Sequence, residues 1–318
     1  MRFLIFYMVA PIKESINKMS KKLIERILKR EGKYHPELGS EYYPIYDIYR
    51  YKIEAYAVAS PNEDTNYGIY CAPHTFCARH YCEIIGKNQT PGTSVSNNRC
   101  NGIIKINKYL VEGSRSSIGR KLFLPTLELT AVHEIDHHKF TMETMGQLYD
   151  LGDRITNTLN DINYLSKKEL LKDFFEKYYE DLYKIYDEIE EIMELSAFTV
   201  EMYTLLDWSR WKRYNMNHII YILVEDVIYT AIYNPAYILV VYDLFGDFDP
   251  NHWMWRKILK LIKDPDEFSK DKDSIEEMMN YLEEKRKESY IIGARKVKKE
   301  ADFLSKEFDM LKEEIFRK

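Results

Sequence analysis

Apolar residues recur at helical spacing through most of the second half of the chain. Phe175, Tyr178, Leu182, Ile185, Ile189 and Ile192 fall three or four positions apart, which places them on one face of a long helix. Ser166 and Glu169 at its head spell the S-x-x-E capping box. The spacing returns at the C-terminus in Ala294, Val297, Ala301, Leu304, Phe308, Leu311 and Ile315. That stripe is narrow enough for a helix–helix seam, within the chain or between two chains. A third helix is predicted from Leu124, with Pro125 in its first turn and Leu127, Ala131, Val132 and Ile135 as its apolar side; Glu128 interrupts that side.

The first half has a different texture. Residues 12–31 read as a helix, with Ile16, Met19, Leu23, Ile27 and Leu28 on one face and Gly32 as the stop. From Tyr42 to Tyr70 apolar and polar residues alternate, as in "YKIEAYAVAS", with a turn at Pro61-Asn62. Residues 86–102 are rich in Asn, Ser, Thr and Gly and read as a loop, and "GIIKINKYLV" reads as a further strand. The pattern predicts an α+β fold, mostly α, with a small antiparallel or mixed sheet. An N-terminal part, 1–146, would carry the sheet and the third helix; a helical part, 147–318, would follow, with a cleft between them.

Two apolar runs imitate membrane segments. "MRFLIFYMVAP" is short, ends at Pro11 and lacks a small-residue cleavage site. Ile219 to Gly246 is longer, but Glu225, Asp226 and Asn234-Pro235 interrupt it. Two consecutive buried helices fit it better, the second capped by Asn234 with Pro235 in its first turn. The expectation is a soluble, cytoplasmic protein with no membrane partner, secretion remaining open. With 46 basic and 51 acidic residues and a net charge of -5, nothing favours nucleic acid as a partner. The 27 tyrosines and the scarcity of Gln suit a thermophilic source, although AT-rich coding would produce a similar bias.

"AVHEIDHHKF", Ala131 to Phe140, concentrates three of the eight histidines. His133, Glu134 and His137 spell H-E-x-x-H. On a helix, His133 and His137 project from one face and can reach one Zn2+ at about 2.0–2.1 Å. Glu134, next to the first histidine, can take a proton from a water held there and pass it to a leaving amine. His138 points about 100° from His137 and is expected at the surface or behind the ligands. Asp136 is expected in solvent or pairing along the helix face.

These residues resemble the zincin metallopeptidases, in which an edge strand that binds extended substrate precedes the H-E-x-x-H helix. "GIIKINKYLV", a loop and "LPTLELTAVHEIDHH" keep that order, and the resemblance covers roughly residues 102–201. It implies that His133 and His137 are zinc ligands and that Glu134 is the general base. The metzincin extension is absent, because Phe140 stands where that pattern has Gly and Glu143 where it has the third His. "ELSAF", starting at Glu194, instead resembles the E-x-x-A pattern of gluzincins and makes Glu194 the implied third ligand. Glu190, Glu194, Ala197 and Glu201 share a side of the long helix away from Ile185, Ile189 and Ile192, and the small Ala197 would allow a close approach. Glu201, then Glu190 and Glu191, are the alternatives.

The implied activity is hydrolysis of peptide or protein substrates with one catalytic Zn2+. The alternative from another class is a zincin-like structural or interaction protein without turnover, docking or self-associating through its C-terminal helix. Cys71, Cys77, Cys82 and Cys100 form a separate cluster with His74 and His80. Their spacing matches no common zinc pair, which leaves two disulfides, a second structural metal ion or free buried thiols as readings.

Overall fold

The computed structural model describes the backbone of five strands in the first third of the chain and of residues 119–162, 165–228, 231–232 and 234–317, with most side chains from Leu122 onward. The helix expected over 12–31, the loop expected over 86–102 apart from Gly102, and Cys77, Cys82 and Cys100 lie outside the described residues; Cys71 is placed by its backbone alone.

Three long helices make the body: α1 (Gly119–Asp161), α2 (Leu165–Trp211) and, after a run of shorter elements, the C-terminal Lys272–Phe316. The helix begins at Leu165, one residue before the Ser166 expected as its cap. Between α2 and the C-terminal helix come α3 (Met216–Ile222), π-helical turns over Leu223–Ile228, a 3-10 turn over Pro235–Tyr237, further π turns over Val240–Leu244, α4 (Trp253–Lys263) and α5 (Pro265–Phe268). The C-terminal helix is therefore α6. Asn234 caps the 3-10 turn as its sequence suggested, its side chain accepting from the Ala236 amide at 3.1 Å. No helix among the described residues is long and apolar enough to cross a membrane.

The apolar interior divides into two clusters. One joins Leu129, Phe198, Trp208, Ile219, Phe245, Ile258 and Met278. The other joins Phe140, Leu148, Tyr178, Leu182, Leu304 and Phe308. Their border is crossed by α1 near His133–Phe140, by α2 near Met193–Leu195 and by α6 near Leu282–Val297. Residues 128–138 of α1 are all buried, so this helix is the central one and is covered on every side. Gly293 lets α6 come close to it: a Cβ there would meet the Phe140 ring at 2.6 Å.

This overturns the α+β class expected from the sequence. The residues described with their side chains are 90% helical and contain no strand, so the body that forms the core is all-α. Ahead of it the backbone runs through β1 (Lys33–His35), β2 (Ile45–Ile48), β3 (Tyr51–Val58), β4 (Gly68–Cys71) and β5 (Gly102–Asn107), in the order β1-β2-β3-β5-β4. β5, which holds "GIIKIN", lies between a parallel β3 and an antiparallel β4. It is not the edge strand that the zincin resemblance required, since both its edges are paired. The buried side chains of α1 that make up the two apolar clusters pack with those of α2 and α6, while the α1 backbone also approaches β4 and β5. Residue 146, the expected end of the first part, falls inside α1.

The C-terminal stripe is covered within the chain. Val297, Ala301, Leu304, Phe308 and Ile315 are buried against α1 and α2. Phe308 is fully enclosed, with Phe174 at 5.9 Å and the Arg154 guanidinium 5.1 Å from its ring centroid. Phe308→Ala is expected to cost about 3–5 kcal/mol, read as a lower denaturant midpoint with an unchanged slope.

Candidate metal centre

His133 and His137 stand one turn apart on α1, and the spacing that put them on one face brings their rings to 4.4 Å between centroids at 87°. α2 lays Glu194 across them. Glu194 Oε2 is 3.3 Å from His133 Nε2, and its Oε1 is 3.5 Å from His137 Nε2. The three side chains are the group of potential metal ligands found among the described residues, with donor atoms all within 4.8 Å of one another. Direct charge-assisted hydrogen bonds would be shorter, at about 2.7–2.9 Å. Bonds of about 2.0–2.1 Å to a tetrahedral Zn2+ would hold neighbouring donors about 3.3–3.4 Å apart. The two histidine–glutamate separations are near that spacing, through different oxygens of Glu194.

Glu134 completes the arrangement. It is buried, and its Oε2 has no hydrogen-bond partner. A buried carboxylate oxygen without a partner is costly, so it points to a missing donor or cation. Burial pushes the Glu134 carboxyl up to about 8, opposed by the neighbouring His133.

The remaining charges are arranged around one shared proton. Burial works against a charged His133, but Glu201 and Glu194 outweigh it and hold its pKa well above the ordinary value. Burial lowers His137 to about 4, leaving it neutral and ready to ligate. For Glu194 burial acts upward, but His137, His133 and a hydrogen bond from Tyr237 prevail and hold it at about 2. A metal ion must therefore displace the proton of His133. At neutral pH binding is expected to release about one proton, and affinity should rise with pH up to the His133 pKa and then level off. Calorimetry in buffers of different ionisation enthalpy measures the number.

The sequence-chosen residues fall into distinct places. His133, Glu134, His137 and Glu194 are together. Glu201 lies beside the cluster, 3.1 Å from His133 Nδ1, where it can orient that imidazole from behind. Glu143, Glu190 and Glu191 are exposed. Asp136 is 1% exposed and His138 0%, which excludes the solvent-facing alternative for each. Ser196 of α2 and Arg286 of α6 close over Asp136.

Tyr237 is the residue that sequence reasoning could not single out. It lies on the 3-10 turn, hydrogen-bonded to Glu194, with its ring 6.5 Å from that of His133. Burial, and then the surrounding carboxylates, raise its pKa well above the ordinary tyrosine value, so it remains a hydroxyl donor. Among 27 tyrosines no spacing marks it; only the Asn234-Pro235 turn that presents it was legible. Comparison of the chain with protein-family models, curated proteins and solved structures finds no match.

Proposed function

We propose that the protein is a zinc-dependent peptidase whose metal is held by His133, His137 and Glu194. The observation that carries this reading is the grouping of three potential donors within 4.8 Å of one another, with a buried Glu134 beside them whose Oε2 has no hydrogen-bond partner. Three protein ligands with a fourth position left for water characterise catalytic rather than structural zinc. When bound, the ion would supply positive charge that polarises a carbonyl and acidifies a water.

The chain's own residues account for the rest. Glu134 takes a proton from the attacking water and returns it to the departing amine. The phenol of Tyr237, held protonated, donates to Glu194 and holds that carboxylate in place. Glu201 fixes the orientation of His133. The enclosing apolar residues strengthen each of these interactions by excluding water.

The reading relies on the site and not on the fold, because the body is all-α and β5 has no free edge for an extended peptide. The test is metal content of protein purified without added metal, followed by hydrolysis of a mixed peptide library at one equivalent of zinc, read by mass spectrometry. Stoichiometric zinc with new peptide termini is expected. Bound zinc without any cleavage would sink the peptidase and leave a binding protein.

A further inference from the structure

The polar layer between the two apolar clusters contains a buried carboxylate that the proposed reaction does not use. Asp136 Oδ2 accepts from Ser196 Oγ at 2.6 Å. Its Oδ1 accepts from Arg286 Nε at 3.0 Å, from the other arm of the same guanidinium, and from the Tyr290 hydroxyl at 3.2 Å. The Arg286 guanidinium also lies 5.6 Å from the Tyr290 ring centroid. One side chain thereby joins α1, α2 and α6.

Its place matters more than the number of its bonds. Asp136 is next to His137, and Ser196 is two residues after Glu194. The Asp136–Ser196 hydrogen bond therefore ties together the two turns that carry the candidate ligands. Its buried neighbours along α1 and α2 include Ile135, Phe140, Met193 and Ala197, and apolar contact is not directional. A slip of one residue moves a helix by about 1.5 Å, whereas metal–ligand distances tolerate about 0.2 Å. The directional bonds of Asp136 are what can hold the finer tolerance.

We propose that Asp136 is a positioning residue: anchored by Arg286 and Tyr290 of α6, it fixes through Ser196 the register of α1 on α2 that sets the spacing of His133, His137 and Glu194. The proposal rests on the metal reading above. It makes α6, which supplies no ligand to the cluster, a required part of the metal site.

The test compares Ser196→Ala, Asp136→Asn and Arg286→Met with the unaltered chain. Zn2+ affinity is measured by chelator competition and Co2+ coordination by its visible spectrum, with thermal melts recorded on the metal-free proteins. Outer partners of metal ligands are worth about 10–100-fold in affinity, and a loss in that range with an altered Co2+ spectrum is expected for all three. Arg154→Met is the control. It breaks the exposed Arg154–Asp309 pair, which joins the same α1 and α6 far from the cluster, and it should leave both readouts unchanged. If Arg286→Met does not fold, Ser196→Ala, which removes one hydroxyl, decides the matter. A folded Ser196→Ala with unchanged affinity and spectrum overturns the positioning role while the metal reading stands. Failure of the unaltered chain to bind either ion removes the metal reading, and this proposal with it.

Discussion

Glu134→Gln abolishes peptide hydrolysis and leaves zinc bound. The amide keeps the volume of the carboxyl but cannot take a proton, so the expected loss is about 10²–10⁴-fold in turnover. Zinc content should be unchanged, because Glu134 is not among the three clustered donors. A second signature appears in the metal-free protein. Burial raises the folded-state pKa of Glu134 from the ordinary 4.5 to about 8. Between those values the folded chain binds more protons than the unfolded one, so this group lowers stability as pH rises from about 4.5 to 8. The Gln variant lacks that contribution, and its melting temperature should exceed that of the unaltered metal-free chain at pH 8 by more than at pH 5. Loss of zinc together with activity would make Glu134 a ligand instead of a base, and retained activity would move the base elsewhere.

Glu194→Ala should remove metal binding by at least about 100-fold, beyond the ~10–100-fold typical of partners that only orient a ligand. The carboxylate lies across both imidazoles and is already ionised, at about 2. Its loss leaves two histidines, too few for a catalytic zinc site. Glu201→Ala should give a smaller decrease, since Glu201 touches His133 at Nδ1 and not at Nε2. Exposed Glu143→Ala and Glu190→Ala should have no effect on affinity. Competition with a chromophoric chelator ranks all four. Equal losses at Glu194 and Glu201 would mean that the two carboxylates share the ligand role, and an intact affinity in Glu194→Ala would end the three-ligand reading.

Much of the site was legible before any tertiary contact was known. The i, i+4 spacing of His133 and His137 is a local helical property, so the sequence alone puts both rings on one face. The same rule placed Glu190, Glu194, Ala197 and Glu201 on one side of α2. It could not separate the glutamates by burial, because any of the three carboxylates satisfies the pattern. Glu194 was preferred by resemblance to E-x-x-A, and the packing of α2 on α1 is what brings it between the imidazoles while leaving Glu190 in solvent. The fold class was misjudged for a related reason. Alternation near Tyr42–Tyr70 announces strands, but local pattern does not say which layer a central helix buries itself against.

By itself, then, the sequence determined the helical faces of α1, α2 and α6, the paired histidines with Glu134 beside them, and the Asn234-Pro235 turn. Each of these is decided within one or two helical turns. Only the tertiary structure decided that the body is all-α and that Tyr237 joins the cluster. It alone made Asp136 a buried hub bonded to Arg286, 150 residues away. Burial of a polar side chain is a property of what packs over it, and no periodicity along one element encodes its partner on another.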